Sequence, residues 1–477
     1  MQAVDLRPMR HAIAVKLILV FLGLFFANSV RAQTEDHKTI RNIDIERQDV
    51  FPVITRKPHF LYDWANHLHV VTRERVILRE LLFQKGDVYD AELLEESERN
   101  LRSLSYLGEV EISVKNEEKD SVDIQVTTQD QWSTLVSYFL ESSSGRTVFG
   151  GGLDEFNFIG FGKRVFTEIR HEVSEGTRFT IRYTDPQLFF SRWTTEELFV
   201  SGPFTKTYSA NIVRPFFSLD TRWAGGVSGS LSKNKLRLFE QGVENSRFKL
   251  DTGSFQVFGA RTFGTRFRKA RVQLAYRFLD REFDPIDGQT STILPEDELI
   301  HALILSSSLE RVSFAEETKL DKFIRTEDLT LGNITQVSLG RTGIPIATGV
   351  KRFELSVLRR EAHKIFANQY LFLTLAFQTL FEKDSIASLR LQYYNRIFRN
   401  QTFAFNLEFD YSKNLESSRQ FLLGGDSGLR AYPARAFAGD KRFLINVEDR
   451  IFTPVNILTV QLGGVLFADA GNVWPTG

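Results

Sequence analysis

Gly425-Asp426-Ser427-Gly428 has the residue order found around an activated serine nucleophile. Such a serine works only with a base in hydrogen-bond reach and a third group orienting that base. The later histidines, His301 and His363, stand in alternating, strand-like stretches with no supporting signature. His67 and His69 are two apart, yet no third ligand at suitable spacing accompanies them, so they read as solvated loop residues rather than metal ligands. Gly160-Phe161-Gly162-Lys163 fails as a phosphate loop because Arg164 takes the Ser/Thr position. The absence of Cys excludes disulfides, thiolate metal sites and cysteine nucleophiles. No catalytic constellation, metal site or cofactor is expected, and the chain reads as a non-enzyme.

What remains is the chemistry of surfaces. The 477 residues hold 60 Lys/Arg against 60 Asp/Glu, which gives no electrostatic reason for a nucleic-acid partner. With 42% hydrophobic and 25% charged residues the chain is too rich in core formers for disorder. Forty-three Phe beside 12 Tyr and 5 Trp is a heavy aromatic load. Residues 1–32 read as a secretory signal peptide: Arg7, Arg10 and Lys16 precede the apolar run Leu17 to Phe26, and Val30 and Ala32 are the small residues of a cleavage site. That run is half the roughly 20 apolar residues a membrane anchor needs. No later stretch is long and uncharged enough for a spanning helix, so if the mature chain crosses a membrane, strands must do it.

Two segments differ in character. Residues 33–130 carry 13 Lys/Arg against 21 Asp/Glu, and residues 131–477 carry 43 against 38. In the first, Ile43 and Ile45 alternate as a strand, and Val76, Ile77, Leu81 and Leu82 repeat at helical spacing behind Thr72, a candidate N-cap. A second helix follows Asp90 with Leu94, Ser97, Leu101 and Leu104 on one stripe. Val110, Ile112 and Val114, then Val122, Ile124 and Val126, alternate as a hairpin. The order is strand, helix, helix, strand, strand, a small α+β domain whose sheet keeps an open edge.

The second segment alternates throughout. Phe403, Phe405, Leu407, Phe409 and Tyr411 make one face, and Ala404, Asn406, Glu408 and Asp410 the other. A soluble sheet alternates too. Export, strands near the ~9 to 11 residues that span a tilted bilayer crossing, and aromatic apolar faces together favour a transmembrane antiparallel β-barrel. At roughly 20 residues per strand and turn, the length suggests about 16 to 18 strands. Polar excursions such as Asp284 to Glu298 would be extracellular loops. The fold class is therefore mainly β.

Gly424-Gly425-Asp426-Ser427-Gly428-Leu429-Arg430-Ala431-Tyr432 resembles the loop signature of the BamA/TamA superfamily of outer-membrane assembly and translocation barrels. Phe467-Ala468-Asp469-Ala470-Gly471 resembles that family's Phe-x-Asp-x-Gly strand. Asn157-Phe158-Ile159-Gly160-Phe161-Gly162 and Tyr183-Thr184-Asp185-Pro186 resemble two further barrel motifs, and the small domain is similar to a POTRA module. Here Ala431 replaces the family's glycine after the arginine. The resemblance implies that Arg430, on an inward-folded loop, meets Asp469 on the inner wall, and that the flanking glycines let the loop approach closely. It implies one POTRA-like unit at 33–130 in the periplasm and a barrel over 131–477, about 16 strands by its length, in the bacterial outer membrane.

The function implied is insertion or export of client polypeptides without nucleotide hydrolysis. The expected partners are outer-membrane lipid, unfolded or β-strand clients, and periplasmic chaperones or accessory subunits. Clients would be received by strand addition at the sheet edge formed by Glu109, Val110, Glu111, Ile112, Ser113 and Val114. The alternatives are a passive channel or receptor, and a two-partner secretion transporter, whose relatives usually carry two POTRA units. In the family several strands follow the Phe-x-Asp-x-Gly strand, whereas Gly477 follows Gly471 by six residues. The expectation is a C-terminally truncated chain with incomplete closure, the alternative a closure unlike the relatives'.

Overall fold

The apolar alternation of residues 39–48 and 107–130 builds three strands, and the helical stripes between them cover one face of the resulting sheet. In this computed structural model β1 (Thr39–Gln48), α1 (Glu74–Glu80), α2 (Ala91–Ser103), β2 (Leu107–Glu117) and β3 (Ser121–Asp130) follow one another. The structure describes residues 38–475 apart from 52–59, 61, 62, 64, 65, 68, 144, 145, 241, 287–293, 323–325, 344–350, 382, 383, 458 and 459. The expected signal at 1–32 lies outside the described residues, as does the middle of the excursion at 284–298.

The sheet order is β1-β3-β2, with β1 parallel and β2 antiparallel to β3. Ile40, Val76, Ile77, Leu101, Ile124 and Val126 are buried between sheet and helices. Asp90 caps α2, its carboxylate accepting from the amides of Glu92 at 2.8 Å and Leu93 at 3.4 Å. Thr72 is not a cap. Helix α1 begins after Arg73, which makes no side-chain cap bond. The amide and hydroxyl of Thr72 instead donate to Asp130 Oδ2, both at 2.8 Å, because this buried carboxylate needs donors. His69 serves it too, at 2.8 Å, and is buried rather than a solvated loop residue.

The remaining strands are β4 (Thr134–Ser143), β5 (Arg146–Glu155), β6 (Arg164–Glu172), β7 (Gly176–Asp185), β8 (Thr194–Ser201), β9 (Thr205–Arg214), β10 (Trp223–Glu240), β11 (Val243–Gly264) and β12 (Arg268–Pro285). They continue as β13 (Glu298–Thr318), β14 (Thr326–Thr342), β15 (Phe353–Phe366), β16 (Gln369–Leu380), β17 (Asp384–Phe398) and β18 (Gln401–Lys413). A short hairpin, β19 (Phe421–Leu423) and β20 (Phe437–Gly439), precedes β21 (Lys441–Ile457) and β22 (Val460–Trp474). Among the described residues, all but the hairpin join one closed ring of 17 strands. The strand order returns from β22 to β4, which differs from the incomplete closure expected. Consecutive strands pair antiparallel, so an odd number makes β4 and β22 run the same way where they meet. Most residues of both strands are exposed.

The ring is inverted relative to a soluble protein. Outward side chains are apolar and bare: Tyr138 is 90% exposed and Leu274 57%, with Leu303, Phe377 and Phe409 among many others. Inward, Asp410 is buried between Arg390 and Arg442, each donating at 2.9 Å. Water would not tolerate so continuous an apolar surface on a monomer, whereas hydrocarbon would. The chain is a transmembrane antiparallel barrel preceded by one small α+β domain. No helix among the described residues is long and apolar enough to cross a membrane.

Candidate functional site

The loop between β18 and β21 folds into the barrel because its own side chains give it an apolar foot. Leu423 and Leu429 pack with Leu444 and Val473 of the wall. The glycines allow the approach. A Cβ on Gly424 would lie 2.2 Å from the carbonyl oxygen of Pro433, and one on Gly471 would lie 2.8 Å from both Leu423 and the Phe443 carbonyl oxygen. Gly428 adopts φ +104°, and a Cβ there would meet Leu444 at 2.7 Å. Gly425 is similarly pressed, 2.6 Å from the Tyr432 carbonyl oxygen. Tyr432 packs at a tilt against Phe437, ring centroids 5.4 Å apart.

On that foot Arg430 meets the wall. Its Nε and Nη2 donate to Asp469 at 2.8 and 2.6 Å, its own amide donates to the same carboxylate at 3.2 Å, and Nη1 donates to Glu448 at 2.9 Å. The guanidinium lies 3.7 Å over the ring of Phe467. Asn446 completes the seat, its Nδ2 donating at 2.7 Å to Asp469 and at 2.7 Å to the carbonyl of Gly428. Asp469 is 5% exposed and Arg430 33%, so one partner is buried and the other is wetted along one edge. Ala431 faces solvent, which is why its extra methyl leaves the arginine free to reach the wall. Asn446 and Glu448 carried no motif signal; only their place on the inward face of an alternating strand hinted at them.

The same loop spans the lumen. β10 and β21 stand on opposite sides of the ring, yet Gln420 exchanges two hydrogen bonds with the Phe239 backbone at 2.7 and 2.9 Å, and Arg435 lies 4.9 Å over the Phe239 ring. One end of the barrel is thereby bridged.

The other end carries the small domain, and here the two earlier motifs gather. Asn157 accepts from the Gly162 amide at 2.7 Å and donates to Thr72 at 2.9 Å. Gly160, at φ +74°, accepts from the Arg73 amide at 3.0 Å, and a Cβ on it would lie 2.8 Å from the Val71 carbonyl oxygen. Gly162 leaves room for the hydroxyl of Tyr106, whose acidity burial suppresses by pushing its pKa well up. Asp185 accepts from the Gln187 amide at 2.9 Å and pairs with Lys163 at 3.0 Å, and Gln187, just past Pro186, donates to the Val76 carbonyl of α1 at 3.3 Å. Further round, Arg266 in the β11–β12 turn pairs with Glu92 at 3.0 Å and Glu96 at 2.8 Å on α2. The motif residues thus hold the domain to the barrel rather than lining a lumen site.

The two edges of the domain's sheet differ. Beside β1, Ile40 donates to the Asp87 carbonyl at 2.9 Å, Gly86 to Ile40 at 2.8 Å and Tyr89 to Lys38 at 2.8 Å, so the start of that edge is covered. The outer edge of β2 runs through Val110, Ile112 and Val114, and among the described residues no backbone group meets it. Glu109 is exposed, and Glu111 and Ser113 turn their backbone groups to β3. Across the sheet from the helices, Arg41 forks onto Asp123 at 2.9 and 2.6 Å, and those bonds, with one from Asn116, hold the carboxyl at a pKa of about 2. Among the described residues no group of His, Asp and Glu side chains is arranged to hold a metal ion.

Residues 69–129 match the POTRA family model, described as surface antigen variable number repeat. Among solved structures, BamA from Haemophilus ducreyi lacking POTRA domains 1–3 is similar over 91% of this chain and 84% of that one, at 11% identity and TM-score 0.35. CdiB from Acinetobacter baumannii is similar over 92% and 74%, at 8% identity and TM-score 0.40. CdiB from Escherichia coli is similar over 94% and 92%, at 10% identity and TM-score 0.39. No curated protein sequence matches. These structural likenesses are distant, and the barrel stands on its own closed ring and outward apolar face.

Proposed function

We propose that this chain is an outer-membrane factor that inserts or exports client polypeptides, with its POTRA domain in the periplasm and its barrel in lipid. The observation that carries the reading is the β2 edge, Val110 to Val114, which no second strand pairs among the described residues and which is held at the mouth of a barrel whose outer face is apolar. Extended clients pair their main chain with such an edge, which gives affinity without a fixed sequence. Work then comes from the client's own folding, as its apolar strands leave water for lipid. The Arg430–Asp469 seat holds the lumen loop against the wall during that exchange.

A passive channel is the rival, and the bridged lumen opposes it, because the loop crosses one end and the POTRA domain is docked on the other. Proteoliposomes discriminate the two. A urea-unfolded eight-stranded barrel client added to vesicles should fold faster with the protein present, scored by its heat-dependent gel shift, and Ile112→Pro should remove most of that acceleration. Solute flux without any effect on client folding would overturn the proposal in favour of the channel.

A further inference from the structure

A side chain is laid across the β2 edge. Ile112, the middle of its three outward residues, donates its amide to Glu98 Oε2 at 3.0 Å. Glu98 stands on α2, and its other oxygen is held by Arg102 Nη1, one helical turn on. Arg102 is 9% exposed and does not belong to the domain alone. Its Nε and Nη2 fork onto Asp328 of β14 at 2.9 and 2.8 Å, and Nη2 also donates to Glu316 of β13 at 2.5 Å. Glu316 and Asp328 face each other across the β13–β14 pair, where like charges repel unless a cation lies between them. Burial disfavours the Arg102 charge, but the carboxylates of Asp328, Glu316 and Glu98 outweigh it and hold the guanidinium firmly protonated. A cleft of about 780 Å³ runs alongside, between α2 and the barrel.

We propose that Glu98 is a built-in competitor for the client edge, and that docking of the POTRA domain on the barrel sets its strength. This rests on the edge reading above. A client strand must take the Ile112 amide, so it must displace Glu98. The carboxylate is a strong competitor because its bond is charge-assisted and its position is fixed in advance. Arg102 fixes it, using different prongs for Asp328 and for Glu98, so that the barrel steadies the arginine and the arginine steadies the glutamate. Undocked, Arg102 is a free, rotamer-rich side chain, and Glu98 covers the edge less of the time. Reciprocity follows: whatever occupies the edge weakens docking by the factor by which docking weakens edge binding.

The test uses the full chain in nanodiscs and a fluorescein-labelled peptide copying residues 401–413, an amphipathic strand of this protein, with affinity read by anisotropy. Glu98→Ala should bind roughly tenfold more tightly than wild type, the loss of one charged competitor bond. Glu98→Gln, which keeps an acceptor but not the ion pair, should fall between and covers the case in which the alanine variant does not fold. Asp328→Asn, on the barrel and outside the edge, should tighten binding about threefold, and in the Glu98→Ala background it should add nothing. Binding that Ile112→Pro abolishes but that Glu98→Ala and Asp328→Asn leave at the wild-type value would overturn this proposal and leave the edge reading standing. Binding indifferent to Ile112→Pro, or absent from every variant, would overturn both.

Discussion

Removing the Arg430 side chain tests whether the lumen loop is held by one ionic seat. The substitution Arg430→Ala deletes two hydrogen bonds to Asp469, one to Glu448 and the stacking on Phe467. Breaking a fully buried pair costs about 3 to 5 kcal/mol because a charge is left without compensation. Here Asp469, at 5% exposure, keeps Asn446 and the residue-430 amide as donors, and the arginine is 33% exposed, so water can enter the vacated place. Discounting for that access leaves about 2 kcal/mol, a factor of roughly 30 between seated and unseated loop. Asp469→Ala should cost less, since it strands a cation that water already reaches. The assay is a double-mutant cycle on the urea midpoint of the detergent-solubilised barrel, read by the heat-dependent gel shift, with Arg430→Glu and Asp469→Arg as the swapped pair. A coupling of about 1.5 kcal/mol or more and partial rescue by the swap are expected. Additive costs with no rescue would show that the arginine is merely solvated beside the wall.

Gly424→Ala should unseat the loop by a different route, because its Cβ would collide with the backbone at Pro433 and Arg435; trypsin should then cut after Arg435 several-fold faster than in wild type, and an unchanged digestion rate would contradict the tight turn. In the POTRA domain the Asp123 pKa is depressed from 3.8 to about 2 by Arg41, so the pair stabilises the domain above about pH 4 and that contribution fades as pH falls through about 2. Pepsin should therefore cleave Arg41→Gln faster than wild type at pH 4, with the difference vanishing near pH 2; a difference that grows toward pH 2 would reverse the assignment.

Residues 403–411 show why the barrel was readable from the sequence: a pleated strand turns alternate residues to opposite sides, so a lipid face and a lumen face print a period of two. The same logic found β2 and β3, and Asp90 announced α2 by capping chemistry. Thr72 precedes an apolar stripe as an N-cap would, but a threonine there can equally be claimed by a buried acid, here Asp130, from 58 residues away. The docking of the two domains was hidden for the same reason. Arg102 meets Asp328 across 226 residues, and no local pattern marks either as a partner of the other. The motif glycines at 160 and 162 were visible, but their task of making room for Val71 and Tyr106 was not. Nor does alternation count strands to the unit, so the odd ring and its same-direction meeting of β4 and β22 emerged only from the fold.

The Phe-rich side of the sheet faces hydrocarbon, and depth-dependent quenching by brominated lipids measures that orientation directly. The chain has no native cysteine, so a fluorophore can be placed on one introduced cysteine at a time. In reconstituted vesicles, labels at Leu274 and Phe409 should be strongly quenched and labels at the neighbouring Gln273 and Glu408 little affected. Equal quenching of neighbours, or a protein that stays monomeric and soluble without detergent, would show that this face does not meet lipid.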